Sequence, residues 1–318
     1  MNKRALGNSG IQIAPFVFGG NVFGWTADEK TSFTLLDAFV DLGLDCIDTA
    51  DVYSRWVPGN KGGESETIIG NWLKKTGKRN QVVIATKCGS SMNANDPSKN
   101  LSKAYIIKAA EDSLKRLQVD HIDLYQSHYD DLNTPVQETL EAYEQLIKQG
   151  KVRAIGASNF NAGRLKESLD TSRKNNLPAY VTLQPEYNLY DREGYENALE
   201  PLCRENKVGV ITYYSLASGF LSGKYRSEAD LHQSKRGAGI KKYLNERGER
   251  ILKALDQAAQ NYDSTPAAVA LAWVMARPGV TAPIASATNV KQLQELAQSV
   301  HLNLNQSVVN DLTKASAY

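Results

Sequence analysis

The sequence contains little from which a metal centre or a disulfide framework could be built. Its 318 residues include three cysteines and four histidines, and no two cysteines share the spacing of metal ligands. Cys46, Cys88 and Cys203 lie far apart, and an odd number of dispersed cysteines is typical of reduced thiols in a cytosol. We therefore predict reduced thiols and no metal site.

The sequence also lacks the features of a membrane, secreted or nucleic-acid-binding protein. No run approaches the ~20 apolar residues that cross a bilayer, and residues 1–7 contain no apolar segment of a secretion signal. The formal net charge is +2, without a block of lysine and arginine. We expect a cytoplasmic protein whose partners are neither membranes nor nucleic acids. The composition does not distinguish a monomer from a homo-oligomer.

Apolar segments of strand length alternate along the chain with segments of helical periodicity. The predicted strands lie near 15–19, 44–48, 82–86, 121–126, 152–156, 180–184, 208–212 and 280–284. In the helical segments apolar residues recur on one face, as Phe33, Leu36 and Val40 do. This alternation predicts parallel βαβ units. Before them, residues 3–6 and 11–13 flank a Gly/Asn/Ser turn and predict a short hairpin.

Eight such units favour a (β/α)8 TIM barrel over a doubly wound sheet, because closure of this barrel requires eight strands. The Gly-x-Gly-x-x-Gly sequence of a dinucleotide-binding doubly wound fold is missing after the first strand. Residues 213–248 form a long insertion, typical of a functional lid, and 305–315 read as a terminal helix. No linker divides the chain, so we predict a single domain over residues 1–318.

Four polar side chains follow consecutive predicted strands and are expected at one mouth of the barrel. Strand two ends at Asp48, with Tyr53 close behind. Strand three is followed by Lys87, and strand four leads to His128. Each has an ordinary structural explanation when taken alone, such as a turn, a core phenol or a solvated lysine. Together they suit proton donation, since an ammonium stabilises phenolate and lowers the pKa of tyrosine from about 10.

In this interpretation Tyr53 protonates a carbonyl oxygen while Asp48 holds Lys87. His128 would orient the same oxygen. No serine or cysteine is arranged as an activated nucleophile, so the attacking group is expected to be a hydride from a cofactor.

Several motifs, in order, resemble those of the aldo-keto reductase superfamily over nearly the whole chain. They are Phe18-Gly19-Gly20, Ile47-Asp48-Thr49-Ala50-Asp51-Val52-Tyr53, Gly63-Glu64-Ser65-Glu66, Ala85-Thr86-Lys87, Asp123-Leu124-Tyr125-Gln126-Ser127-His128, Ile155-Gly156-Ala157-Ser158-Asn159 and Leu216-Ala217-Ser218-Gly219-Phe220-Leu221-Ser222-Gly223-Lys224-Tyr225. The last motif resembles the branches that contain bacterial members and potassium-channel β-subunits.

The resemblance implies a catalytic tetrad of Asp48, Tyr53, Lys87 and His128, with Tyr53 as the general acid. It also implies NADPH bound extended across the mouth of the barrel. The implied cofactor residues are Gly20, Asp48, Ser158, Asn159, Gln184, Tyr213, Tyr214, Ser215, Leu216, Ala217, Ser218, Gly223, Lys224, Arg236, Ser286, Thr288, Asn289 and Gln292. Among them, amides would hold the nicotinamide carboxamide, and Tyr213 would stack on the ring. Because a second tyrosine, Tyr214, follows, the choice of stacking residue stays open.

The adenosine end departs from the family pattern. Leu296 stands where an asparagine that contacts adenine is expected, and Thr288 stands at a position that is often basic. Lys291 or Arg236 would have to read a 2′-phosphate. NADPH is therefore expected, with NADH as an open alternative.

Aromatic residues in the loops suggest a substrate pocket for an aldehyde or ketone, apolar or sugar-like. Trp25, Trp56 and Tyr129 are predicted to line it, with Phe23 and Tyr214 as further wall residues. Asp51 and Arg55 would add polar selectivity. The alternative function is a subunit that senses nicotinamide redox state with little turnover, as the channel-associated relatives do. His128 favours turnover, since the channel subunits carry asparagine there.

Overall fold

Buried strands pair in parallel and close into a barrel, which an antiparallel hairpin precedes. The computed structural model describes residues 2–233 and 237–318. The hairpin consists of β1 (Arg4–Ala5) and β2 (Gln12–Ile13), and the barrel consists of β3 (Val17–Gly19), β4 (Cys46–Asp48), β5 (Val83–Cys88), β6 (Ile122–Ser127), β7 (Val152–Ser158), β8 (Thr182–Gln184), β9 (Gly209–Thr212) and β10 (Val280–Ala285). The predicted hairpin and eight-stranded barrel are confirmed.

Helices lie between the strands and after the last one, where the periodic segments predict them. They are α1 (Glu29–Asp41), α2 (Glu64–Thr76), α3 (Lys103–Leu117), α4 (Val136–Lys148), α5 (Ala162–Asn175), α6 (Glu193–Glu196), α7 (Leu199–Glu205), α8 (Glu246–Asn261), α9 (Pro266–Met275), α10 (Val290–Ala297) and α11 (Gln306–Ala315). The terminal helix was predicted within one residue of its bounds. The helix α8 begins inside the predicted insertion, because the Asn245 side chain caps it by accepting a hydrogen bond from the Gly248 N–H (3.0 Å).

Two layers of apolar side chains hold the barrel together. The larger layer, which we call the outer core, lies between the strands and the surrounding helices and includes Phe39, Trp72 and Trp273. The smaller layer, which we call the inner core, includes one or more residues from most barrel strands together with Leu6, Ile11 and Ile13 of the hairpin. The interior is therefore a packed core, and the hairpin contributes to it.

The hairpin turn lies directly against the beginnings of the barrel strands. Gly7 has a φ of +55°, and a Cβ atom there would be 1.9 Å from the carbonyl oxygen of Val181. Only glycine combines this left-handed backbone with so close an approach. Because the N-terminal ends of the strands are covered in this way, the opposite end of the barrel is the accessible mouth.

Candidate active site

The alternation of side chains along the strands explains why polar residues converge at the mouth. In a strand, residues two positions apart point to the same face. An inward apolar residue of the inner core is therefore followed, two positions later, by an inward polar residue: Cys46 by Asp48, Ala85 by Lys87, Leu124 by Gln126 and Ile211 by Tyr213. The register sets Asp48 beside Ala85 and Lys87 beside Gln126.

Lys87 is fully buried and connects the members of this group. Its Nζ atom donates to Asp48 Oδ2 at 2.5 Å, to the Thr49 carbonyl oxygen at 2.8 Å and to the Tyr53 hydroxyl at 3.4 Å. Burial alone would lower the pKa of Lys87, but Asp48 and Tyr53 act in the opposite direction and the net pKa is raised. Lys87 is therefore a charged ammonium at neutral pH.

The second oxygen of Asp48 is held by two amide side chains. Its Oδ1 atom accepts hydrogen bonds from Gln184 Nε2 (2.9 Å) and Gln126 Nε2 (3.2 Å). Gln126 was not among the predicted site residues. Its place two positions after the inward Leu124 is the signal that would have found it.

Tyr53 lies in the loop after β4, half-buried, with its hydroxyl directed at Lys87. Burial raises the pKa of Tyr53, and although Lys87 acts to lower it, the net shift is upward. Lys87 therefore acts on this pKa in the expected direction, but its effect is smaller than that of burial. The physical reason is that removing the phenolate from water outweighs one neighbouring cation. Tyr53 consequently keeps its proton at neutral pH.

His128 is buried beside Tyr53, with ring centroids 5.9 Å apart. Burial, followed by the charge of Lys87, lowers the pKa of His128 well below its usual range, so its ring is neutral. The Nδ1 atom is buried and has no hydrogen-bond partner in the described part of the chain. The four predicted tetrad residues are thus brought together around the Tyr53 hydroxyl.

The predicted pocket residues form a row of ring contacts with Tyr53 and His128. Trp56 contacts both Tyr53 (5.6 Å between centroids) and Trp25 (5.8 Å). On the other side, Tyr129 stacks on His128 at 4.9 Å. Trp56 and Tyr129 are 43% and 38% exposed, so both reach solvent at the mouth.

Phe23, also predicted as pocket wall, does not reach this mouth. It is 0% exposed and stacks on Phe18 at 5.2 Å inside the outer core. Its apolar ring fills the space between the first strand and the helices, which sequence position alone did not reveal.

A chain of hydrogen bonds links the residues that follow β7, β8 and β9. The Tyr213 hydroxyl donates to Asn159 Oδ1 (2.7 Å), and Asn159 Nδ2 donates to Ser158 Oγ (3.1 Å) and to the His128 carbonyl oxygen (2.9 Å). Ser158 Oγ in turn donates to the Gln184 carbonyl oxygen (2.9 Å). These four predicted cofactor residues therefore form one wall, adjacent to His128.

The two consecutive tyrosines differ in environment. Tyr213 is half-buried and packs against the inner core, whereas Tyr214 is 52% exposed. Tyr214 also has a left-handed backbone, with a φ of +50°. The ring of Tyr213 is the one fixed at the wall.

The loop after β9 contains an unusual run of left-handed residues. Besides Tyr214, the φ angles of Ala217, Ser218 and Gly219 are +48°, +57° and +101°. Such strain in residues other than glycine persists where the surroundings impose it and is concentrated at ligand sites. Ser215 and Ala217 are buried, and the Ser215 hydroxyl donates to the Thr212 carbonyl oxygen at 2.9 Å.

Further along this loop, Gly223 has a φ of +78° and Lys224 is exposed. The Lys224 Nζ atom lies 5.0 Å from the centroid of the Tyr225 ring. Leu216 is half-buried against the outer core. Arg236, predicted to contact the cofactor, lies outside the described residues.

The segment after β10 is organised around the start of α10. Asn289 caps this helix by accepting from the Gln292 N–H (2.9 Å), and Gln292 Oε1 accepts from the N–H (2.9 Å) and hydroxyl (3.0 Å) of Thr288. Ser286 Oγ lies 2.7 Å from the Gly19 carbonyl oxygen.

Gly20 is buried beside Asp48, where a Cβ atom would lie 3.0 Å from Ser65 Oγ and 3.1 Å from the Asp48 carbonyl oxygen. Close packing against these two atoms therefore explains why a glycine stands at position 20.

Two further features concern residues 2–233 and 237–318. No group of three or more His, Cys, Asp or Glu side chains in this part of the chain is arranged to hold a metal ion. No helix in it is both long and apolar enough to cross a membrane.

The closed barrel thus holds a buried lysine between a carboxylate and a phenol at its mouth. The family model described as "Aldo/keto reductase family" matches residues 15–317, and the chain belongs to this family. Its members are oxidoreductases that generally use NAD(P)H.

Individual relatives match along almost the whole chain. "Uncharacterized oxidoreductase YrpG" of Bacillus subtilis is 36% identical over 98% of this chain and 95% of the relative. "Aldo-keto reductase YhdN" of the same organism is 35% identical over 98% and 92%, respectively. "Probable voltage-gated potassium channel subunit beta" of Arabidopsis thaliana is 32% identical over 94% and 91%.

Proposed function

We propose that this protein reduces an aldehyde or ketone to an alcohol with NADPH, and that residues 1–318 act as one catalytic unit. The observation that carries the proposal is the buried Lys87 ammonium, in contact with Asp48 at 2.5 Å and with the Tyr53 hydroxyl at 3.4 Å. A protonated phenol supported by a fixed cation is suited to donate a proton to an oxygen.

Tyr53 is the general acid in this proposal. As the phenol gives its proton to the carbonyl oxygen, negative charge develops on Tyr53, and the neighbouring Lys87 stabilises it. Asp48 fixes Lys87 and balances its charge, and the two glutamine amides fix Asp48. Each partner is in place before the substrate binds, so little reorganisation is required.

His128 orients the carbonyl oxygen. Its neutral ring carries one N–H, and a neutral ring beside Lys87 avoids a second buried cation. The row of rings from Trp25 to Tyr129 excludes water on the substrate side and packs against the organic part of the substrate.

The residues at the other side of the mouth fit a nicotinamide dinucleotide, which when bound would supply the hydride. The amides of Asn159 and Gln184, with Ser158, match the hydrogen-bonding groups of a carboxamide. The half-buried ring of Tyr213 offers a flat surface for an aromatic ring. The left-handed backbone of Ala217–Gly219 and the exposed Lys224 suit a pyrophosphate, because turned main-chain amides and a cation both favour anions.

For the adenosine end we propose Gly20, Ser286, Thr288, Asn289 and Gln292 as neighbours of the nucleotide. Lys291, which is exposed at the first turn of α10, is the described cation best suited to a 2′-phosphate. The preference for NADPH over NADH rests on this lysine and on Arg236.

The test is Tyr53→Phe, which removes the hydroxyl and keeps the ring that contacts Trp56 and His128. We expect kcat/KM for aldehyde reduction to fall by about 10²- to 10⁴-fold. The Kd for NADPH, from fluorescence titration, should stay within about two-fold, since the cofactor wall is formed by other residues. Tyr262→Phe is the matched control, because within the described residues the Tyr262 hydroxyl forms one hydrogen bond, which it accepts from the Asn305 N–H.

Turnover retained in Tyr53→Phe would remove Tyr53 from the acid role. The alternative function predicts a different outcome. Wild-type protein that binds NADPH tightly but reduces no aldehyde or ketone would support a redox-sensing subunit. The similarity to proteins named as channel β-subunits makes that measurement necessary.

A further inference from the structure

Two cationic side chains lie next to the proposed catalytic residues outside the salt bridges of the described residues. Arg55 follows Tyr53 by two positions, and its Nη1 atom is buried with no hydrogen-bond partner in the described part of the chain. The Lys99 Nζ atom lies over the ring of Tyr129, 4.3 Å from its centroid. Within residues 2–233 and 237–318, neither side chain forms a salt bridge. We call Arg55 and Lys99 the rim pair.

Both members of the rim pair lie on loops whose backbone is fixed. Lys99 pairs with Ser90 in an isolated antiparallel bridge, and the Asn100 N–H donates to the Gly89 carbonyl oxygen at 3.0 Å. This places Lys99 at the base of the loop that follows β5. The Arg55 N–H donates to the Val52 carbonyl oxygen at 2.8 Å, in a turn that also contains Tyr53.

The rim pair acts on the same imidazole as the catalytic lysine. After burial and Lys87, the charges of Lys99 and Arg55 lower the pKa of His128. Burial lowers the pKa of Lys99, and the charge of Arg55 lowers it further. The two cations are thus close enough to repel each other, beside the group that orients the carbonyl.

One nearby carboxylate, Asp96, acts on both cations. After the hydrogen bonds from Ser98, the charge of Arg55 lowers the pKa of Asp96, and the charge of Asp96 acts to raise the pKa of Lys99, which burial lowers. Within the described residues Asp96 forms a salt bridge with neither. Asp96 accepts hydrogen bonds from the Ser98 N–H (2.9 Å) and hydroxyl (2.8 Å). Burial raises the pKa of Asp51 well above its usual value, so this carboxyl is held towards its neutral form. A single carboxylate does not balance two partly buried cations, and an anion bound between them would reduce the remaining repulsion.

The row of rings leads from the proton donor to the rim pair. Tyr53 contacts His128, His128 stacks on Tyr129, and Lys99 lies over the ring of Tyr129. A substrate that extends from Tyr53 along this row of rings would bring a terminal anionic group to Lys99.

We propose that Arg55 and Lys99 form an anion subsite, and that the substrates of this protein are aldehydes or ketones that carry a carboxylate or phosphate group. An arginine fork and a lysine ammonium are the two side chains that best bind such groups. The inference rests on the proposed reductase function and names the substrate class for that site.

The experiment compares 4-formylbenzoate with its uncharged methyl ester, and 4-formylphenyl phosphate with 4-methoxybenzaldehyde. For each pair, the ratio of kcat/KM for the anionic over the neutral aldehyde is measured in wild type, Arg55→Gln, Lys99→Gln and the double variant. Lys61→Gln is the matched control, since Lys61 is an exposed cation on the same loop as Arg55. Circular dichroism verifies that each variant is folded.

We expect wild type to prefer the anionic aldehyde, and the ratio to fall by about 10- to 100-fold in the double variant. Each single variant should show part of the loss, and 0.5 M NaCl should reduce the wild-type preference. Lys61→Gln should keep the wild-type ratio. The pair of aldehydes whose kcat/KM ratio falls more identifies whether carboxylate or phosphate is the better ligand.

A wild-type enzyme that reduces the neutral aldehydes without preferring the anionic ones would overturn the subsite and leave the reductase intact. An equal ratio in wild type and double variant would overturn it as well. If no aldehyde is reduced, the reductase proposal fails, and calorimetric titration with 4-formylbenzoate decides the subsite. Binding that the double variant loses supports it, and absence of binding to wild type refutes it.

Discussion

The charged residues of two regions belong to β4 and β5 or to the loops that follow these strands, yet the electrostatics of the two regions differ. In the strand-end cluster of Asp48, Lys87 and the two glutamine amides, the buried ammonium has a carboxylate partner and both carboxylate oxygens accept hydrogen bonds. In the rim pair, the Arg55 Nη1 atom is buried without a partner, and Lys99 contacts only an aromatic ring among the contacts described for its ammonium.

The difference reflects whether a side chain lies on a strand or on a loop. Side chains on strands are positioned by register and alternation, so a reactive group there is fixed before anything binds. Side chains on the loops beyond those strands lie outside the hydrogen-bonded sheet of the barrel, and their charges remain available to a ligand. If this comparison is correct, equivalent substitutions in the two regions should have very different consequences.

The largest contrast is expected between Lys87, which lies in β5, and Lys99, which lies in the loop that follows β5. Lys87→Met leaves Asp48 as a buried charge without its cation and should lower the free energy of unfolding by about 3–5 kcal/mol. Lys99→Met removes a half-buried cation without an ion pair and should change it by no more than about 0.5 kcal/mol. Urea unfolding at pH 7 measures both. Equal effects would mean that the strand-end cluster is not the better stabilised region.

Asp51 combines properties of the two regions. It is buried like the cluster, but its Oδ1 atom lacks a partner within the described residues. Its pKa is raised in the folded protein, so its contribution to stability is full below about pH 4 and is lost as pH rises towards the folded pKa. Asp51→Asn removes this loss. The variant should gain stability over wild type as pH rises, by about 1.4 kcal/mol for each unit between the folded and unfolded pKa. Urea titrations between pH 4 and pH 8 test this, and a constant difference would show that Asp51 is ionised and paired.

For His128, the dependence of stability on pH has the opposite sign. Its pKa is lowered in the folded protein, so stability is full above the unfolded value of about 6.5 and is lost as pH falls below it. The slope from this residue is at most about 1.4 kcal/mol per pH unit. His128→Asn should flatten the fall in stability between pH 6.5 and pH 5.5. The control His301→Gln removes an exposed ring and should leave the slope unchanged. A slope that survives in His128→Asn would mean that this ring is protonated in the folded protein.

The smallest effect is expected in the wall beyond the cluster. Tyr213→Phe removes the hydrogen bond to Asn159 and should cost about 0.5–1.5 kcal/mol of stability, while the ring remains available for the cofactor. Tyr214→Phe, at a 52% exposed residue, should cost less. Thermal unfolding compares them. NADPH titration of Tyr213→Ala and Tyr214→Ala then tests which ring stacks, and a larger loss in Tyr214→Ala would reverse our assignment.

Alternation and the order of the strands account for most of what was predictable. The eight strands follow from apolar segments that alternate with helical segments, and the hairpin follows from its Gly/Asn/Ser turn. The convergence of Asp48 and Lys87 follows because the C-terminal ends of the barrel strands meet at one mouth. Gln126 obeys the period-two alternation of strand residues and was missed because an amide in a strand has many structural uses. The roles of the site residues and the domain extent stay predictions.

The sequence by itself determined which residues point inward, because side-chain alternation is a local property of each strand. It also determined which residues carry charge at the mouth. Only the tertiary structure decided how much water each group retains, because desolvation depends on every element packed around it. That is why burial raises the pKa of Tyr53 despite Lys87, and why Phe23 lies in the core instead of the pocket. The tertiary structure also brings Lys99, which is far along the chain from Arg55, close enough to Arg55 for their charges to interact.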